Sequence, residues 1–129
     1  MRASASAPPV GWSRAPKAPN LPAVDPVEGQ LEAYNARDAE RFATFFTEDV
    51  VVEDAAGNRL VTGRDALRAS YAAMFAASPA LCCRVVARLR AGRFVVDEER
   101  VTGRAPEELH VLVVYTLRGD RIEAVRILR

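Results

Sequence analysis

Between residues 81 and 128, four apolar, β-branched runs follow one another, each parted from the next by a short break that carries a glycine. The breaks are Ala91-Gly92-Arg93, Gly103-Arg104-Ala105-Pro106 and Arg118-Gly119-Asp120, links suited to hairpins. The pattern predicts strands near 81–90, 94–102, 109–117 and 121–128, joined as an antiparallel meander. Such a sheet needs at least one face covered, because its apolar side chains cannot stay in water.

The first half of the chain supplies the cover. Asp25-Pro26-Val27-Glu28 is a helix start, with Asp at the cap, Pro at the first helical position and Glu at the third. Val27, Leu31 and Tyr34 then form one apolar stripe, and Gln30 lies on it as a polar group that needs a partner. Asp38 is expected to cap a second helix carrying Phe42, Phe45 and Phe46, and the β-branched residues 50–53 read as a strand. Thr62 and Asp65 read as a capping box for a third helix with Leu67, Tyr71, Met74 and Phe75 on one face, stopped by Ser78-Pro79. Three helices before a meander predict an α+β fold, with the helices on one face of a curved, mostly antiparallel sheet.

With 129 residues the chain is long enough for one such domain. Residues 1–24 are rich in Ala, Pro and Ser and are expected to be a disordered tail, leaving 25–129 as the folded unit. A net charge of +1 gives no reason to expect nucleic acid or an anionic membrane as partner, and no apolar run is long enough to span a bilayer. Cys82 and Cys83 are adjacent and ill placed to bridge each other, so a reduced, cytoplasmic protein is expected. One His and two vicinal Cys make a poor metal set, so neither metal nor cofactor is expected.

From Phe46 to Tyr71 the residues run Phe46, Glu48-Asp49, Val50-Val51-Val52, Glu53-Asp54, Gly57, Thr62-Gly63-Arg64-Asp65, Tyr71. This stretch resembles the ketosteroid isomerases and the wider NTF2-like (SnoaL-like) superfamily, and the likeness extends over 25–129. The resemblance implies a cone in which the sheet wraps around the helices and leaves a pocket. It puts Asp54 on the isomerases' catalytic base and Phe46 and Tyr71 on two tyrosines that support the oxyanion hole. The oxyanion-hole tyrosine falls on Gln30 and the protonated aspartic acid on Val113, so both usual donors are replaced. A carboxylate at Asp54, half desolvated at a cavity mouth, would have its pKa raised toward that of a working base. The alternative is a strand-end Asp that caps its own turn.

Alternation along 94–102 puts Phe94, Val96, Glu98 and Arg100 on one face, and the isomerase alignment turns that face inward, making Glu98 and Arg100 a pocket-lining ion pair. The alternative there is a solvated charge run. In 109–117, Leu109, Val111 and Val113 should face inward and His110, Leu112 and Val114 outward. That strand is apolar on both faces, so a second copy of the chain is expected on the outer one, giving a homodimer. The expected function is proton transfer from or to a small apolar organic ligand, without cofactor, in an isomerase-, cyclase- or dehydratase-like step. The expected site is Asp54 as base within a pocket of Gln30, Phe46, Tyr71, Phe94, Val96, Glu98, Arg100 and Val113. A ligand-binding or protein-interaction module with the same fold is the alternative.

Overall fold

The computed structural model describes residues 24–129, so the expectation of a disordered tail lies outside the described residues, Val24 apart. Asp25 caps α1 (Pro26–Asn35), its carboxylate accepting the Val27 amide at 3.0 Å. Asp38 caps α2 (Ala39–Ala43) through the Arg41 amide, also at 3.0 Å. Phe46 does not belong to α2 but opens β1 (Phe46–Asp54), which is longer than the expected strand. A strand that was not expected, β2 (Arg59–Thr62), pairs antiparallel with β1 and sets Thr62 opposite Val51. This pairing corrects the capping box. With Thr62 held in the sheet, α3 (Arg64–Ala77) begins at Gly63 and has no side-chain cap. The meander follows as β3 (Cys82–Ala91), β4 (Phe94–Thr102), β5 (Leu109–Arg118) and β6 (Arg121–Leu128).

The six strands form one sheet in the order β2-β1-β6-β5-β4-β3, with β1 parallel to β6 and every other pair antiparallel. Its inner face meets the three helices around Val27, Phe42, Phe46, Val50, Val52, Leu67 and Ile122, all almost wholly buried. Burying a side chain of this size contributes roughly 1.5–3 kcal/mol, so these contacts dominate the fold. The aromatic part is continuous: Phe42 lies 4.9 Å from Phe46 and 4.6 Å from Tyr71, and Tyr34 meets Phe75 edge-on at 5.4 Å, all between ring centroids. Asn35, at the end of α1, ties the helices to β3: it donates to the Cys83 carbonyl at 3.0 Å and accepts the Cys83 amide at 2.7 Å.

The register of the sheet decides which acids point inward. Glu99 pairs with Val111 and Asp97 with Val113, and residues directly opposite share a face. Val111, Val113 and Tyr115 are buried, so Asp97 and Glu99 are buried with them, at 0% and 6% exposure. Phe94, Val96, Glu98 and Arg100 therefore occupy the outer face, which reverses the expectation for β4. Its apolar residues stand at both parities, Val95 and Val101 against Phe94 and Val96, so alternation alone could not choose; the pairing with β5 does.

A bulge in β3 completes the arrangement. Val85 pairs with Glu99 and Ala87 with Glu98, leaving Val86 as the extra residue. Beyond it the inward parity changes, so that Arg88 rather than Leu89 faces the helices. Arg88 grips Asp97 with both ends of its guanidinium, at 2.5 Å and 2.9 Å, and also holds Glu28 at 2.8 Å. Leu89 is left 73% exposed on the outer face.

Candidate active site

The helices do not fill the inner face, and a cavity of about 260 Å³ remains between them and the sheet. Leu31, Met74, Val101, Val111, Val113 and Val125 make much of it apolar. Its polar groups are few and convergent: Gln30 and Tyr34 from α1, Ser70 and Tyr71 from α3, and Cys83, Glu99 and Tyr115 from the sheet. Arg104 and Arg129 also line it and are exposed, which puts them at its opening.

A chain of hydrogen bonds runs across the floor. The Gln30 amide donates to the Val27 carbonyl at 3.0 Å and to the Tyr115 hydroxyl at 3.2 Å. The Tyr115 hydroxyl donates to one Glu99 oxygen at 3.2 Å, and the Cys83 thiol to the other at 3.3 Å. Among the described residues no cation lies within ion-pair distance of Glu99, whereas buried Asp97 two residues away is gripped by Arg88. Burial, reinforced by the charge of Asp97, pushes the Glu99 carboxyl above the usual range, against the hydrogen bonds from Cys83 and Tyr115. Burial likewise raises the Cys83 thiol and the Tyr34, Tyr71 and Tyr115 phenols, so all four keep their protons at neutral pH. The Tyr34 and Tyr71 hydroxyls have no hydrogen-bond partner among the described residues and are available to something in the cavity.

Of the residues expected at a pocket, Gln30, Phe46, Tyr71 and Val113 line this cavity. Asp54 does not. It accepts the Ala56 amide at 3.0 Å, the Asn58 amide at 2.9 Å and the Asn58 side chain at 3.1 Å. Those bonds favour the ionised form and hold its pKa below the usual carboxylate value, the opposite of the expected shift. Asp54 thus acts as the cap of its own turn. Glu98 and Arg100 do not pair with each other on the outer face: Glu98 meets His110 at 2.7 Å and Arg100 meets Glu108 at 3.3 Å. Phe94 is exposed beside Arg93, which stacks over its ring at 5.4 Å.

Sequence reasoning missed Glu99, Tyr115, Tyr34 and Arg104 as cavity residues. Glu99 carried a signal, because shifting β4 by one parity turns two acids inward at once, and that unusual demand marks a site. Among the described residues no group of three or more His, Cys, Asp or Glu is placed to hold a metal ion, and no helix is long and apolar enough to cross a membrane.

Comparison with known proteins follows the same outline. An uncharacterised cystatin-fold protein from Novosphingobium aromaticivorans is 25% identical, with 85% of this chain and 100% of that one covered and a TM-score of 0.76. A putative polyketide cyclase from Sinorhizobium meliloti is also 25% identical, with 84% and 95% covered and a TM-score of 0.71. A putative ketosteroid isomerase from Kribbella flavida, 20% identical over 80% of this chain and 73% of that one, shares the fold at a TM-score of 0.70. No curated protein matches the chain. The six-stranded sheet curved around three helices is the NTF2-like cone, and with residues 27–125 matching the SnoaL-like domain, the chain belongs to the SnoaL-like family.

Proposed function

We propose that this SnoaL-like chain is an enzyme that moves a proton on a small, largely apolar organic molecule, with Glu99 in the role first expected of Asp54. The observation that carries the reading is Glu99 itself, a buried carboxyl on a cavity wall with no cationic partner among the described residues. A carboxylate so placed is a stronger base than one in water, because the protonated form no longer competes with full hydration. Tyr115 and Cys83 orient it by donating one hydrogen bond to each oxygen. As a base, Glu99 would take a proton from a carbon next to a carbonyl. The hydroxyls of Tyr34 and Tyr71, without a partner among the described residues, are the donors available to the oxygen on which negative charge then develops. Returning the proton to another carbon, or losing a leaving group, gives an isomerase-, cyclase- or dehydratase-like outcome without a cofactor. A similar structure described as a putative polyketide cyclase supports this reaction range. A cavity of about 260 Å³ suits a molecule of one or two rings.

A second reading is a binding module without chemistry. It is favoured by the fact that both Glu99 oxygens already accept a hydrogen bond from within the protein. Deuterium uptake by 2-tetralone in D₂O, followed by NMR, separates the two. The parent protein should accelerate uptake and Glu99→Gln should lose on the order of a hundredfold or more of that acceleration. Binding with no acceleration, or equal rates in parent and variant, would leave the second reading.

The outer sheet face belongs to the same proposal. Leu89, Phe94 and Leu112 are exposed there at 73%, 46% and 43%, and a second copy of the chain laid on this face would bury them and form a homodimer.

A further inference from the structure

We infer that the cavity takes an apolar molecule bearing one carboxylate, which Arg104 holds at the opening while the apolar body lies inside. This rests on the reading of the cavity as a ligand site and specifies what enters it. Most arginines of this fold hold a carboxylate, as Arg88, Arg118 and Arg126 do. Arg104 lines the cavity and holds none among the described residues. Residues 1–23 contain neither Asp nor Glu, so no carboxylate there can serve.

Its position is imposed by the backbone. Gly103, at φ +83°, packs so tightly that a Cβ would lie 2.2 Å from the Ala80 carbonyl oxygen and 2.4 Å from its carbon. The β4–β5 connection is thereby pressed onto the turn before β3, and Arg104 emerges where its charge acts on the phenols of Tyr34 and Tyr71.

Glu99 is not the missing partner, because among the described residues no guanidinium, that of Arg104 included, lies within ion-pair distance of its oxygens, which Tyr115 and Cys83 hold on the floor. The site is therefore polarised, with Arg104 and Arg129 at the opening and a neutral or acidic group inside, and Arg104 is the one whose charge reaches the Tyr34 and Tyr71 phenols of the cavity wall. A ligand with a carboxylate at one end and an apolar, proton-yielding body at the other matches both. Guanidinium and carboxylate also match in geometry, since the planar fork can donate two parallel hydrogen bonds. In open water such a pair is worth little, but the apolar walls around Tyr34 and Tyr71 limit screening on one side.

The test compares two probes of nearly the same shape, 2-naphthoate and the neutral 2-naphthamide, by calorimetric titration of the full chain at low salt and neutral pH. The expected result is binding of the naphthoate about tenfold tighter, or about 1.4 kcal/mol. That preference should shrink in roughly 1 M salt, where screening acts over about 3 Å. Arg104→Gln should bring the two affinities together. Equal affinities in the parent protein, or a preference that survives Arg104→Gln, would overturn the inference. Amide binding without preference leaves the cavity as an apolar ligand site and removes only the carboxylate. Binding of neither probe would remove both.

Discussion

Arg88→Met offers the most demanding test of how the inner face is built. Asp97 has no exposed side-chain surface, and Arg88, itself only 16% exposed, is bonded to both of its oxygens. Removing the guanidinium strands a charged carboxylate among Val95, Val113 and α1, and breaking a buried pair in this way costs about 3–5 kcal/mol. Exposed Glu28, the third member, contributes little because water can replace its partner. For a domain of this size a urea slope of about 1–3 kcal/mol per M converts that loss into a midpoint lowered by roughly 2 M. The double change Arg88→Met with Asp97→Leu removes both charges and replaces them with apolar groups of similar volume, so it should recover most of the loss. The assay is urea unfolding followed by circular dichroism on parent, both single variants and the double variant. A double variant no more stable than Arg88→Met alone would refute the argument, since the cost could not then lie in the stranded charge.

Three further outcomes follow from the same geometry. The raised Glu99 pKa means that the folded state holds this proton more tightly than the unfolded one, so its effect on stability is absent below the ordinary glutamate range and becomes a growing penalty as pH rises through the raised value. Glu99→Gln removes that slope, and in urea unfolding its stability relative to the parent should improve as pH rises above the ordinary glutamate range; a difference constant with pH would sink the assignment. Asp54→Ala should lower the melting temperature through loss of the turn bonds while leaving ligand binding and any proton-transfer activity intact, and a loss of activity beyond the loss of fold would restore Asp54 to the site. Leu112→Glu on the outer face should convert a dimer to a monomer in light scattering, and a parent protein that is already monomeric at micromolar concentration would remove the homodimer.

Most of the fold was legible because its signals are local. Asp25 and Asp38 cap helices with their own side chains, and the glycines of the meander turn where they stand, so each can be read from a few neighbouring residues. The failures arose where a distant strand decided. Thr62 looks like a helix cap until β1 claims it, and Phe46 looks helical until the same strand begins with it. The facing of β4 could not be read from β4, because Val95 and Val101 balance Phe94 and Val96; only the partners of Glu99 and Asp97 in β5 break the tie. Four of the residues that the resemblance pointed to, Gln30, Phe46, Tyr71 and Val113, line the cavity between helices and sheet. Asp54 is not among them. Asp54 lies at the expected end of the expected strand, but the Asn58 side chain and amide turn its carboxylate into the loop, and nothing in an alignment by eye reports that competition.

Two acids stand two residues apart on β4, both inward and both almost without water, yet they meet opposite fates. The difference comes from β3 rather than from either acid. Had β3 run without its bulge, the residue beside Asp97 would carry the parity of Val85, and an apolar side chain would face each acid in turn. Two uncompensated carboxylates so close together would repel each other and cost more burial energy than a small domain can absorb. The extra residue, Val86, changes parity between the two positions. Beyond it, Arg88 comes inward and neutralises Asp97; before it, Val85 stays opposite Glu99 and supplies nothing. The bulge thus divides the inner face into a half where charge is cancelled and a half where one carboxyl has no cation beside it among the described residues. Asp97 and Arg88 do not line the cavity, whereas Glu99 does, with Cys83, Val101 and Tyr115 beside it. The proton transfer proposed for Glu99 needs a carboxyl kept apart from a second uncompensated one, and a single inserted residue in the neighbouring strand is sufficient to separate the two acids in this way.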